Sequence, residues 1–359
     1  MAMKAKIWLW FRRGLLALLV LATLLVIAWT VADGWTGAKL REEMRLSREA
    51  GFPLTPADIR LEPVAEAENA APVYREIRTL LEREDLRVRV EAIGQAVSNE
   101  EMTAEEKRET IRSHWNGAIG RVLDLAMEAA ARPRFDADLD FSKGSDMAYQ
   151  HLSHLRRLVR LVTGAWLIAE PEERTELLVP MIRPATHLLE EPTFVSQLTR
   201  VAMVNMVLAL WEEYWEKLPH GSEELADAMK EFLRHLGTDP WGTAFEVEAG
   251  VFATIGHEAL LRGDYEVLGA GLSTTFWTRL SAWPARPVVK SMQANHLRST
   301  RKLRELLFSG PTHAVLQEME DFDAVEAIPR HALVALIMVD TFFRLRHTAA
   351  ATEARIRVA

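Results

Sequence analysis

The sequence predicts an all-α protein, in which a single N-terminal transmembrane helix is followed by a multi-helix domain of packed antiparallel helical hairpins. Residues 14–32 (GLLALLVLATLLVIAWTVA) contain no charged side chain. At about 1.5 Å per helical residue they extend roughly 28 Å, close to the hydrocarbon thickness of a bilayer. From residue 69 onward nearly every segment repeats apolar residues every three or four positions, which is typical of helices. The clearest alternating stretch, Phe135–Phe141, is too short to form a sheet.

The N-terminal run predicts an anchor with a defined orientation. Four Lys and Arg residues and no acidic residue precede it, and Asp33 follows it. Because cytoplasmic flanks carry the excess of Lys and Arg, we expect residues 1–13 in the cytoplasm, 14–32 in the membrane and the remainder outside. Tryptophans stand at both ends of the run, where such rings anchor a helix at the headgroups. A signal peptide cleaved after the small residues at 30–32 is the alternative, although its apolar region would be shorter, about 7–15 residues.

Residues 33–68 are predicted to form a juxtamembrane helix followed by a linker. Ala38–Ala50 is a polar helical stretch that Gly51 and Pro53 bring to an end. Further prolines predict an extended chain after it. We expect this linker to hold the helical extracytoplasmic domain, residues 69–359, at a distance from the bilayer.

Capping residues and apolar periodicity predict the helices of this domain in order. Thr103 and Glu106 form a capping box that opens a helix reaching about Ala131. Pro180 and Pro184 predict a kink or a break in the helix around 172–190. The other predicted helices carry stripes at Leu152–Trp166 and Val201–Trp215, run from Ser222 to Gly237, open at Asp239-Pro240, and cover 285–308 and 330–347. The apolar stretches at 201–211 and 332–339 are too short to span a bilayer, so we expect one span.

The composition excludes several classes of function. The chain has 43 Lys and Arg residues, of which four precede residue 33, so 39 remain beyond the anchor against 51 acidic residues. This acidic excess argues against a nucleic acid partner. The absence of cysteine excludes disulfides, thiolate metal ligands and cysteine nucleophiles. No motif predicts a cofactor.

Two metal motifs match only in part. Asp136, Asp138 and Asp140 resemble the start of a calcium loop, but the glycine and the glutamate that complete such a loop are absent. An extended connector that lays apolar residues on the helices explains this stretch. His257-Glu258 begins a zinc-protease motif in which leucine replaces the second histidine.

His151 and His154 are three positions apart and therefore neighbours on a helix, a spacing that can hold a metal ion. Helical projection places them at the edge of an apolar stripe. Partly buried histidines bonded to a backbone carbonyl explain that position as well. The sequence offers no third ligand, which favours the structural interpretation.

Asn205, Glu248 and Asp340 are polar residues among apolar neighbours. A carboxylate in such surroundings must pair or raise its pKa, and a carboxyl group with a raised pKa suits general acid catalysis. If the protein is an enzyme, we expect Glu248 to be catalytic, with Asn205 or Asp340 beside it. Structural ion pairs, such as Asp340 with Arg344, are the favoured alternative.

A basic stripe lies on one face of the predicted 285–308 helix and consists of Lys290, Arg298, Arg301 and Arg304. In an acidic domain these residues could receive an acidic partner or an anionic wall polymer. They could equally pair with acidic residues of their own domain, and we favour that alternative.

The motifs GFPLTP at 51–56 and ENAAPVY at 68–74 resemble the region after the anchor in uncharacterised single-span bacterial membrane proteins, in which a helical body also follows. The resemblance covers the anchor, the linker and the first helix of the domain. It implies an extracytoplasmic helical domain on the bacterial inner membrane. It carries no known activity, so no functional residue is transferred.

Two functions agree with these features. The favoured one is a membrane-anchored extracytoplasmic scaffold that binds another envelope protein without catalysis. The alternative is a hydrolase or a small-ligand-binding protein with its site in an inter-helix cleft around Glu248.

Overall fold

The computed structural model describes residues 2–59, 61–214, 240–264 and 275–308, together with several helical positions between 223 and 234. These residues form helices and contain no strand, which confirms the all-α prediction; one parallel bridge pairs Asn69 with Arg134. The helices are α1 (Ala2–Glu49), α2 (Ala71–Leu81), α3 (Glu84–Ser98), α4 (Ala104–His114), α5 (Gly117–Ala131), α6 (Gln150–Ile168), α7 (Pro171–Glu176), α8 (Leu178–His187), α9 (Phe194–Tyr214), α10 (Pro240–Glu246), α11 (Ala253–Arg262) and α12 (Phe276–Phe308). A π-helical segment, Val247–Phe252, joins α10 to α11.

α1 is one continuous helix of 48 residues, so the predicted anchor and the predicted juxtamembrane helix are a single element. No proline interrupts it, and it ends just before Gly51, which adopts a left-handed φ of 84° as the sequence predicts for a helix end. Among the described residues, Trp10–Glu49 and Phe194–Trp211 are long and apolar enough to cross a membrane. The second of these is 61% buried inside the body, as a core helix is.

The segment after α1 differs from the predicted linker. Phe52 and Leu54 are buried. The backbone of Pro53 lies so close to Gly250 that a Cβ added to this glycine would stand 2.0 Å from the Pro53 carbonyl oxygen. A residue with a side chain would therefore push the two backbones apart. The segment packs against the π-helical segment.

The long helix predicted after the Thr103 capping box is two helices, α4 and α5. The box itself is present: Glu106 N donates to Thr103 Oγ1 at 3.3 Å, and Thr103 N donates to the Glu106 carboxylate at 2.7 Å. Two residues after α4 ends, Asn116 caps α5 by accepting a hydrogen bond from Ile119 N at 3.0 Å. The prediction was wrong because helical periodicity continues across this asparagine cap.

The main core lies among α2–α9. The predicted stripe of α6 is buried, and its residues are Leu152, Leu155, Val159, Val162 and Trp166. The break predicted from the two prolines occurs at Leu177, between α7 and α8, while Pro184 lies inside α8. Pro240 is helical in α10, and the residues just before it lie outside the described part of the chain. The predicted helix at 330–347 and most of the one at 222–237 lie outside the described residues.

α12 packs along α1, and the two helices run in the same direction. The contacts that fix this direction, in order along both helices, are Trp29–Trp283, Asp33–Lys290 and Glu43–Arg298. A parallel pair of elements so far apart in the chain differs from the successive antiparallel hairpins that the sequence predicts. The parallel packing of α1 and α12 places the start of α12 beside the end of the apolar run of α1.

Candidate functional site

A cavity of about 300 Å³ lies between α2, α6 and the connector that precedes α6. Its floor is apolar and includes Ile77, Phe135, Leu155 and Leu158. Polar groups complete the lining: Arg75 and Arg78 from α2, Asp138, Asp140 and Lys143 from the connector, and His151 and His154 from α6. An apolar floor with a few convergent polar groups is typical of a small-molecule site.

The walls of the cavity follow from the apolar faces of α2 and α6. In α2 the buried positions recur at helical spacing, as with Val73, Ile77 and Leu81. In α6, Leu155 and Leu158 lie on the buried face, and the two histidines stand one turn before them. The position of the histidines at the edge of the apolar stripe is therefore the one that helical projection predicts.

Asn69 fixes the path of the connector beside the cavity. Its side-chain oxygen accepts hydrogen bonds from Ala71 N at 2.9 Å and from Asp136 N at 3.0 Å, and its amide group donates to Asp136 O at 3.2 Å. The Asp136 carboxylate accepts a further bond from Asp138 N at 2.9 Å. Asp138 has a left-handed φ of 57°, a conformation that is strained for a residue with a Cβ.

The aspartates of the connector are engaged by nearby backbone groups. Asp136 bonds to Asp138 N, and Asp140 accepts from Ser142 N at 3.1 Å. Phe135 and Phe141 are buried, in line with the connector interpretation. Within the described part of the chain, no three His, Asp or Glu side chains are grouped so that they could hold a metal ion.

His151 is oriented by a buried carboxylate from another element. Its Nε2 lies 2.8 Å from one oxygen of Glu191 and 3.1 Å from the other. Because a carboxylate accepts only, Nε2 carries the proton, which leaves Nδ1 as the second polar atom of the ring. Glu191 is held in turn by the hydroxyl of Ser196, which receives a hydrogen bond from Thr193 at 2.8 Å. The bond of His151 is thus to a carboxylate and not to a backbone carbonyl.

His154 faces a different carboxylate. Its Nε2 lies 3.4 Å from Glu82 Oε1, so the two histidines contact different carboxylates. Burial lowers the pKa of His154 below its ordinary 6.5, although the Glu82 charge opposes this effect. Its buried Nδ1 has no hydrogen-bond partner among the described residues. An unpaired polar atom that is buried in this way costs free energy, so it adds nothing to the stability of the fold at this position.

A second buried pair supports the floor from behind. Tyr74 Oη lies 2.9 Å from His187 Nδ1, and His187 Nε2 donates to Arg132 O at 2.9 Å. The rings of Phe135 and His187 stack with centroids 5.8 Å apart. Burial lowers the pKa of His187 to about 3, which keeps it neutral. These contacts make the floor of the cavity rigid.

The charges at the rim are unevenly paired. Arg78 donates to Glu82 at 2.8 Å, and Lys143 lies 3.7 Å from Asp140. Arg75 is exposed and has no ion-pair partner in the described part of the chain. The cavity therefore offers the guanidinium of Arg75 as a donor to an acidic group on a ligand.

The residues predicted around Glu248 do not converge on this cavity. Glu248 lies on the π-helical segment and accepts a hydrogen bond from Phe194 N at 3.3 Å, at the start of α9. Asn205 is eleven positions further along α9, about 16 Å away by helical rise. Asp340 lies outside the described residues. Burial raises the pKa of Glu248 to about 7, as the sequence analysis expects for such surroundings.

The basic stripe is engaged by α1. Lys290 donates to Asp33 at 2.7 Å, and Arg298 and Arg301 both bind the carboxylate of Glu43, whose side chain is 4% exposed. Arg304 pairs with Glu246 at 2.6 Å and donates to Ala50 O at 2.6 Å. These contacts agree with the alternative that the basic stripe pairs with acidic residues of its own chain. Binding of an envelope partner stays a prediction.

Sequence reasoning did not find Arg75, Glu191 or Asn69. Arg75 is an ordinary polar position on an amphipathic helix, and Glu191 reaches His151 across 40 residues of chain. The role of Asn69 could have been predicted in part, because an asparagine directly before Ala-Ala-Pro is typical of a turn that opens a helix.

The comparisons with known proteins add no further assignment. No protein-family model, curated protein or solved structure matches the chain. The function is therefore argued from the chemistry of the cavity.

Proposed function

We propose that this protein is a membrane-anchored binding protein for a small amphipathic molecule that carries an acidic group. The observation that carries the proposal is the cavity between α2 and α6, where an apolar floor meets His151, His154 and the unpaired Arg75. The apolar part of the ligand would lie against Phe135 and Leu155. Its acidic group would bind the guanidinium of Arg75.

The anchor belongs to the same proposal. The apolar run of α1 spans a bacterial inner membrane once, with residues 1–13 in the cytoplasm and the cavity on the outer side. The Lys and Arg residues before the run and the exposed apolar side chains along it support this orientation. The ligand is then a molecule of the extracytoplasmic space.

The first test blocks the cavity. Ala148 lines it and is exposed, so Ala148→Trp fills the entrance without disturbing the core. We expect this variant to bind naphthoate, a flat apolar acid, at least about tenfold more weakly than the natural protein, or about 1.4 kcal/mol. Full-length protein in lipid nanodiscs is titrated by calorimetry, with empty nanodiscs as the blank.

Ala131→Trp is the matched control, because Ala131 is also an exposed alanine and does not line the cavity. It should bind naphthoate as the natural protein does. Equal binding by the Ala148 and Ala131 variants, or no binding by the natural protein, would contradict the proposed site.

The second test concerns charge. Arg75→Gln should weaken naphthoate binding about fivefold, since one exposed charged hydrogen bond contributes about 1 kcal/mol. Binding of uncharged naphthol should change little, because it has no carboxylate to lose a partner. Arg112→Gln, at an exposed position of α4, is the control. An equal loss for both probes would show that Arg75 acts through the shape of the cavity and not through its charge.

A further inference from the structure

The first turns of α12 expose apolar side chains in an unusual place. Leu280, Trp283 and Val288 are 53%, 47% and 61% exposed. At 100° per residue they fall within about 140° of the helix circumference. An exposed apolar group of this kind on one helix marks a surface that meets lipid or protein.

The position of this surface along α1 identifies what covers it. Trp283 stacks on Trp29 with ring centroids 4.0 Å apart, and Trp29 Nε1 donates to Pro284 O at 3.2 Å. Trp29 lies near the outer end of the apolar run 14–32. Because the two helices are parallel, Leu280 is about 4–5 Å nearer the bilayer centre than Trp283, level with the last part of that run.

The charges of this segment match the same surroundings. From Phe276 to Arg304, α12 contains no acidic residue, although the chain as a whole has a net charge of −8. Arg279 is exposed. A long, exposed Arg side chain near the end of the apolar run extends its guanidinium toward the lipid phosphates, and tryptophan rings are favoured at the headgroups.

We infer that the Phe276–Val289 turns of α12 lie in the outer interface of the membrane, with Leu280, Trp283 and Val288 in contact with lipid. This surface is a second membrane contact beside the anchor, and it rests on the proposed spanning by the apolar run of α1. Two contacts, far apart in the chain, fix the tilt and rotation of the body relative to the bilayer, which one helix alone leaves free.

The test uses the absence of native cysteine. Single cysteines at Leu280 and Val288 are labelled with a nitroxide in the full-length protein, reconstituted into vesicles of phosphatidylethanolamine and phosphatidylglycerol. We expect both labels to collide more with oxygen, which concentrates in lipid, than with a water-soluble nickel chelate. Val88→Cys is the matched control, because Val88 is a valine on α3 with 59% exposure and should report water.

A label at Leu21, in the middle of the apolar run, separates two kinds of failure. If Leu21 reports lipid while Leu280 and Val288 report water as Val88 does, the interface contact is wrong and the anchor stands. If Leu21 also reports water, the anchor fails and the interface contact with it. If Leu280 and Val288 are shielded from both reagents, protein covers the surface and the inference is overturned. Lipid signals at all three positions support it.

Discussion

At the residue scale, two opposing effects act on the pKa of the Glu248 carboxyl group. Burial on the π-helical segment raises its pKa to about 7, while the hydrogen bond from Phe194 N at the start of α9 lowers it. A carboxylate at the first turn of a helix also meets the positive end of the helix dipole. This arrangement connects the π-helical segment to α9.

Glu248→Gln should change how stability depends on pH. The folded-state pKa of about 7 exceeds the ordinary 4.5, so the folded protein retains this proton and loses stability as pH rises through that interval. The variant keeps an amide oxygen for Phe194 N and has no proton to lose. Relative to the natural protein it should gain at most about 3 kcal/mol at about pH 8 and little at about pH 4.5.

Urea unfolding followed by tryptophan fluorescence at both pH values measures this difference. Buried histidines act in the opposite sense: the pKa of His296 is lowered to about 4 by burial, so its contribution is present above about pH 6.5 and is lost as pH falls. That contribution is common to both proteins and cancels in the comparison. Glu258→Gln, at an exposed site on α11, is the control and should leave the pH profile unchanged. A pH-independent effect of Glu248→Gln would contradict the assignment.

At the scale of elements, the α1–α12 pair depends on one buried carboxylate. Glu43 receives Arg298 and Arg301 together, and Arg301 also donates to Ser47 Oγ at 2.7 Å. Burial alone would raise the pKa of Glu43, but the hydrogen bonds and charges of the two arginines outweigh it and lower the pKa. Glu43 is therefore ionised in the folded protein, and the pair fixes the register of α12 along α1.

Glu43→Gln should destabilise this helix pair by about 2–4 kcal/mol, because it leaves arginines at a partly buried interface without their counter-charge. The adjacent Glu42→Gln is the matched control, since Glu42 pairs with Arg45 on the exposed side of the same helix. We expect it to cost much less than Glu43→Gln, because exposed ion pairs contribute little to stability. The urea midpoint of each full-length variant in detergent measures the effect. Similar losses for the two variants would show that the buried pair does not fix the register.

At the scale of the whole molecule, α1 is both the proposed anchor and part of the body. Its residues beyond 33 pack along α12, and Phe52 and Leu54 continue this packing toward the π-helical segment. The packed body thus includes residues that the sequence predicts as a juxtamembrane helix and a linker. A rigid connection from the apolar run to the body would transmit the orientation of the anchor to the cavity.

Removal of α1 should therefore make α12 accessible to protease. A chain that begins at residue 33 lacks the apolar run but keeps the half of α1 that packs on α12, whereas one that begins at residue 51 lacks both. We expect trypsin to cut the shorter chain within α12, after Arg301 or Lys302, and to spare this site in the longer one. Mass spectrometry of the fragments identifies the cuts. Equal protection of α12 in both chains would contradict its dependence on α1.

The sequence by itself determined the local features of this protein. The apolar run, the buried stripe of α6 and the capping box at Thr103 follow from charge, periodicity and backbone preference over a few neighbouring residues. The position of His151 and His154 at the edge of an apolar stripe is of the same kind. Such features depend on the geometry of neighbouring residues, so they can be predicted from one sequence.

Only the tertiary structure decided which distant residues meet. Glu191 lies 40 positions from His151, and Asp33 lies 257 positions from Lys290. No period or spacing encodes these pairs, because each depends on how several helices pack together. For that reason the sequence did not predict the contact between His151 and Glu191, or that the basic stripe faces α1. The parallel α1–α12 pair, from which the membrane contact is inferred, likewise exists only once the chain is folded.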